Sequence, residues 1–109
     1  MARKLLSIIS LVFIPSLCFA QQIEGEIGIA GEGVAAGGAE VKATCADVVA
    51  VADEYGHYEF RTARTGECRL EVEYRDRLST SVTIYVSAHG TRASLELRTS
   101  DRGWHLSKR

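Results

Sequence analysis

The residues of this chain with chemistry to offer are three histidines, a scatter of serines and a patch of arginines and carboxylates. His57, His89 and His105 show no His-x-x-x-His spacing, and there is no Cys-x-x-Cys. A zinc site needs three or four ligands brought to one point, so three solvated histidines are expected. Ser79, Ser81 and Ser87 are candidates for a hydrolase nucleophile. Such a serine needs an adjacent base and a third group to orient that base, and no Gly-x-Ser-x-Gly elbow is present. Arg69, Glu71, Glu73 and Arg75, with Asp76 and Arg77 beyond them, form the densest charge patch. Paired carboxylates can do acid–base work, but alternating Arg and Glu on one strand face reads as cross-strand surface pairing or a polar contact surface. The glycine-rich run AGEGVAAGG at 30–38 lacks both the dinucleotide spacing and the Gly-Lys-Ser/Thr of a phosphate loop. No catalytic residue, metal ligand or cofactor site is therefore assigned.

These residues hang on short strands. The stretch 53–74, DEYGHYEFRTARTGECRLEVEY, alternates Tyr58 and Phe60 with His57, Glu59 and Arg61. It then alternates Cys68, Leu70, Val72 and Tyr74 with Arg69, Glu71 and Glu73. Period-two alternation marks a strand with one buried and one wet face. Asp53-Glu54-Tyr55-Gly56 and Thr65-Gly66 supply turns. The same period runs through 23–29, 39–45, 81–86 and 93–98, Val48 to Ala52 is a short β-branched run read as a further strand, and Ala88-His89-Gly90 turns the chain. Seven strands at this spacing argue for an antiparallel sandwich. The polar tail 99–109 is expected to fray or to fold Trp104 back over a sheet end.

The first 20 residues read as a signal peptide: Arg3 and Lys4, an apolar run to Phe19, and small residues at Cys18 and Ala20. The run is short of the roughly 20 apolar residues that span a bilayer, so no membrane span is expected. Without Arg3 and Lys4, 11 basic residues stand against 14 acidic, a net charge of −3. No basic stripe favours nucleic acid. The expected division is a signal peptide at 1–20, one domain at 21–98 and the tail at 99–109, with a periplasmic or extracellular location.

The strands carry a pattern that can be compared with a family. It runs Ile23-x-Gly25-x-Ile27, Gly37-Gly38-Ala39-x-Val41-x-Ala43, Ala52-Asp53-x-x-Gly56-x-Tyr58-x-Phe60 and Gly66-x-Cys68-x-Leu70-x-Val72. In order and spacing this resembles the carboxypeptidase regulatory-like domain over about residues 23–97. The resemblance implies a seven-stranded Greek-key β-sandwich of transthyretin-like fold and a non-catalytic accessory module that supports or binds a larger neighbour. The enzymatic branch of that superfamily, the 5-hydroxyisourate hydrolases, carries a Tyr-Arg-Gly-Ser motif. Gly90-Thr91-Arg92 is not that motif, nor is Leu106-Ser107-Lys108-Arg109.

The resemblance also bears on the cysteines. Once the leader is set aside, Cys45 and Cys68 are a pair in an oxidising compartment, where an even count suggests a bridge. The transthyretin-like arrangement sets the two strands that carry them antiparallel and adjacent. Pairing the cysteines then puts Ala43 opposite Leu70 and Val41 opposite Val72, whereas a slip of one residue would put Glu71 and Arg69 there.

The sequence thus leads to three expectations. The first is an exported, non-enzymatic β-sandwich with a protein partner in the cell envelope. The alternative is a small transthyretin-like hydrolase or ligand-binding protein with its site at a sandwich end or subunit interface. The third is an edge-strand homodimer through 23–29, which has few blocking charges.

Overall fold

The computed structural model describes residues 20–109, so the expected signal peptide lies almost wholly outside the described residues. Within them the chain is all-β: eleven strands in two sheets, and no helix. Among the described residues there is thus no helix long and apolar enough to cross a membrane. The strands are β1 (Gln21–Ile29), β2 (Val34–Ala35), β3 (Glu40–Ala43), β4 (Val48–Val51), β5 (His57–Thr62) and β6 (Gly66–Tyr74). They continue with β7 (Arg77–Leu78), β8 (Val82–Val86), β9 (Thr91–Arg92), β10 (Leu95–Ser100) and β11 (Gly103–Lys108).

β1 is the spine of the first sheet. Its first two-thirds pairs antiparallel with β5, from Gln21↔Thr62 to Glu26↔His57. Its other edge runs parallel to β9 and then to β10. β11 closes the sheet beyond β10. The second sheet runs β4-β3-β6, with β8 and the short β7 both on β6. The inward residues of both sheets form one core, in which Ile23, Ile27, Val41, Leu70, Val72, Leu95 and Leu97 are completely or almost completely buried. Every one of these positions is inward in the period-two pattern, which is why alternation located the faces correctly.

The bridge and its register are present as expected. Cys45 is bonded to Cys68, with Cα atoms 5.0 Å apart, and Val41 faces Val72 and Ala43 faces Leu70.

Four features differ from the sequence expectation. The strands number eleven rather than seven because four short or polar segments pair without an alternating signature: β2, β7, β9 and β11. The sheets are not wholly antiparallel, since β1 takes β9 and β10 in parallel. The tail does not fray: β11 pairs with β10 over six residues. Trp104 is buried, its ring 5.8 Å from that of Tyr74 and its Nε1–H donating to the Tyr74 carbonyl at 2.9 Å. Finally, β1 is paired on both sides, so 23–29 is not an open edge. β5 and β6, joined at Thr65-Gly66, belong to different sheets.

Candidate functional site on the outer face of the first sheet

Two glycines shape the surroundings of this face. Gly25 pairs with Tyr58 across β1 and β5. A side chain at Gly25 would collide with the Ala93 carbonyl, so its absence lets the β9–β10 connection lie close over β1. Tyr58 fills the space, and its hydroxyl donates to that same carbonyl at 2.6 Å. Burial pushes the Tyr58 phenol well above its ordinary range. Gly56 ends the β4–β5 turn with φ +80°, a left-handed conformation that glycine adopts without strain. Its carbonyl accepts the Ile27 N–H at 2.9 Å, which ties the turn to β1.

The turn itself is held by Asp53. One carboxylate oxygen accepts the N–H of Tyr55 at 2.8 Å and of His57 at 3.0 Å. The backbone bond from His57 leads in holding the Asp53 carboxyl below its ordinary value; desolvation opposes it, and the Tyr55 amide and the nearby His57 ring add to the lowering. The turn thus delivers His57 to the start of β5 with its ring outward. There Nε2 lies 2.9 Å from Glu26 Oε2, and Nδ1 lies 3.8 Å from the second Asp53 oxygen. Arg92, arriving on β9 at the other edge of β1, lies 3.8 Å from Glu24 and 3.9 Å from Glu26. Glu24, Asp53, His57, Glu59, Arg92 and the exposed Val51 line an open depression of about 420 Å³. Around it Glu24, Glu26, Asp53 and Glu59 face Arg92 and His57, and Arg61 lies further along the same face of β5.

A histidine between two carboxylates is held in orientation. Chemistry by such a group needs a nucleophile within hydrogen-bond reach. The one hydroxyl in the lining is that of Tyr58, and it is committed to the Ala93 carbonyl. The described residues hold no cluster of three or more His, Cys, Asp or Glu suited to a metal ion. What the face offers is therefore an orderly, net-acidic surface.

The residues named from sequence lie elsewhere. Arg69, Glu71 and Glu73 alternate along the outer face of β6, in the second sheet. The partner of Glu73 is Lys42 on β3, at 3.1 Å, rather than a neighbouring arginine. Arg75 sits at the β6–β7 turn with its guanidinium 5.0 Å over the Tyr74 ring. Ser79 is buried: its hydroxyl accepts the Val72 N–H at 2.9 Å and donates to the Thr80 carbonyl at 2.7 Å, a structural role. His89 and His105 are exposed, on the β8–β9 turn and on β11. His57 is exposed too, but it is not a lone solvated histidine.

The grouping around His57 was missed in sequence, although part of its signal was there. Asp53 precedes His57 by four residues across a Gly56 turn, and Glu24, Glu26, His57 and Glu59 are all outward positions. Arg92 had no such signal, because it reaches the site through a parallel pairing of two residues.

No family model matches the chain, and no curated protein matches it. Among solved structures it is similar to a DUF3823 family protein from Parabacteroides merdae ATCC 43184, with 14% sequence identity and a TM-score of 0.48 over 82% of this chain. The match spans 46% of that protein's length. A likeness this loose carries no functional inference.

Proposed function

We propose that this protein is an exported, non-enzymatic β-sandwich module of the carboxypeptidase regulatory-like, transthyretin-like kind, which works by binding a protein partner in the cell envelope. The observation that carries the reading is the outer face of β1, β5 and β9. Its charged side chains are pre-ordered by one another and by the Asp53 turn, yet they line an open depression rather than an enclosed pocket. An open, polar, pre-ordered surface suits a macromolecular contact, where complementary charge steers encounter and fixes register. The excess of carboxylate selects a partner segment of basic character.

Two further observations support the reading. Two layers, β11-β10-β1-β5 and β4-β3-β6-β8, enclose one core, which suits a β-sandwich. The Cys45–Cys68 bridge is consistent with an oxidising, exported location.

Crosslinking and pull-down from the envelope fraction test the proposal. The wild-type protein should recover a specific partner, and recovery should fall at high salt, since exposed charge pairs are screened. Glu24→Lys with Glu59→Lys should abolish recovery while leaving the fold intact. Background proteins alone, under several growth conditions, would count against it.

A further inference from the structure

Beyond the acidic depression, the outer face of β1 continues to Gly28. Ile27 and Ile29 point into the core, so Gly28 between them is an outward position. Its φ is not positive, so no backbone conformation demands glycine there, and the missing side chain is what counts. Gly28 is nonetheless buried, and its cover is the guanidinium of Arg109, with which a side chain at Gly28 would collide. Across the strands Gly28 faces Ala35 on β2 and Glu96 on β10. The result is an open notch of about 360 Å³, floored by Gly28 and flanked by Glu26, Val34, Tyr55 and Glu96. Glu26 belongs to the acidic face as well, so the two depressions adjoin.

The notch suits a guanidinium. Its floor is bare backbone, on which a planar group can lie flat. Glu26 is engaged through Oε2 by His57 at 2.9 Å and Arg92 at 3.9 Å, and Glu96 through Oε1 by Arg98 at 3.5 Å. An ionised carboxylate accepts about four hydrogen bonds, so both keep capacity for another donor. The Tyr55 ring, 68% exposed, adds an aromatic surface that can stack on a cation. Arg109 itself is loosely held. Its backbone N–H donates to the Ser94 carbonyl at 2.8 Å. Its side chain is exposed, and among the described residues its guanidinium makes no ion pair.

We infer that this notch is a subsite for one arginine side chain of a basic partner segment, and that Arg109 is a stand-in that leaves when the partner's arginine enters. The inference deepens the proposed reading of the acidic face and rests on it for the nature of the partner. Lysine is a poor substitute, because a compact ammonium neither covers the flat floor nor presents a fork of donors to two carboxylates. While Arg109 is seated, the partner's apparent affinity is reduced to the fraction of time that the notch is open. Arg109 therefore sets a threshold for binding.

Two capped tripeptides, acetyl-Gly-Arg-Gly-amide and acetyl-Gly-Lys-Gly-amide, serve as probes, with binding read from the amide NMR shifts of Gly28 and Glu96. Arg109→Ala should bind the arginine peptide several-fold more tightly than wild type does, and the lysine peptide little better. The lysine arm measures what the loss of one positive charge does by itself. Gly28→Ala added to Arg109→Ala should cancel the gain. With Arg109 shortened, the new methyl meets only the Val34 carbonyl at 3.8 Å, an ordinary contact, and the dispersion of the amide spectrum checks that the double variant folds. An equal gain for both peptides would overturn the inference by reducing the role of Arg109 to its charge. A gain that Gly28→Ala retains, shifts confined to other strands, or no gain at all would overturn it too. None of these outcomes touches the reading of the acidic face, which falls separately if the envelope pull-down recovers background proteins alone.

Discussion

At the scale of single residues, the Tyr58 hydroxyl is the most consequential polar group of the core. It is buried and bonded to the Ala93 carbonyl at 2.6 Å. Removing it in Tyr58→Phe leaves that carbonyl without this donor, which costs about 1–3 kcal/mol. Chemical denaturation should report it as a lower midpoint with an unchanged slope. The raised phenol also gives stability a pH dependence of definite sign. Unfolded, Tyr58 titrates near its ordinary value of 10.0; folded, burial keeps the proton on. Above that pH the unfolded chain binds fewer protons than the folded one, so stability falls as pH rises. Tyr58→Phe should show a shallower fall above pH 10 than wild type, in urea midpoints measured across the alkaline range. Gly25 belongs to the same contact. In Gly25→Ala the new methyl meets the Ala93 carbonyl, and a loss of at least about 2 kcal/mol is expected from the forced overpacking.

At the scale of elements, the short strands decide more than their length suggests. β7 exists because Arg75 and Asp76 both adopt positive φ, 54° and 60°, which closes a two-residue hairpin from Tyr74 to Arg77. Such turns favour Asn-Gly. Replacing Arg75-Asp76 by Asn-Gly should raise stability by about 1 kcal/mol, because the left-handed conformation then costs less. A higher thermal midpoint would show it. β11 offers the opposite case. Trp104→Ala removes a buried ring that packs on Tyr74 and is expected to cost about 3–5 kcal/mol. The contrast between these elements explains what was legible in the sequence. The long strands could be read because their burial alternates with period two, and the Cys45–Cys68 register because apolar pairs and the bridge favour one alignment. β7, β9 and β2 are two-residue pairings fixed by turns and by contacts from distant strands, and these leave no periodic trace. β11 was legible only as Trp104 and Leu106 in a polar tail. The candidate site was half legible for the same reason: β1 and β5 supply its outward carboxylates and His57, while Arg92 depends on tertiary placement.

At the scale of the whole molecule, the bridge joins Cys45 in the β3–β4 turn to Cys68 near the start of β6 and closes a loop with a sequence separation of 23. Closing such a loop stabilises by about 3 kcal/mol in the chain-entropy description, a large share of what a domain this size has. Cys45→Ala and Cys68→Ala should each lower the thermal midpoint substantially, and the double variant should lose little more than either single one. Intact mass under non-reducing conditions should show no free thiol at either position. The rest of the molecule then presents two unlike outer faces. The face of β1, β5 and β9 is organised by Asp53, His57 and Arg92; that of β3, β6 and β8 carries alternating charges and Tyr85. The proposed function assigns partner binding to the first. A photo-crosslinking residue placed at Glu59, on the β5 side of that face, compared with one at Glu67 on the outer face of β6, tests this most directly in the native envelope. The account predicts a discrete crosslinked product with a basic segment of one partner from Glu59, and little or none from Glu67. Equal crosslinking from both positions, or a product from Glu67 alone, would contradict it.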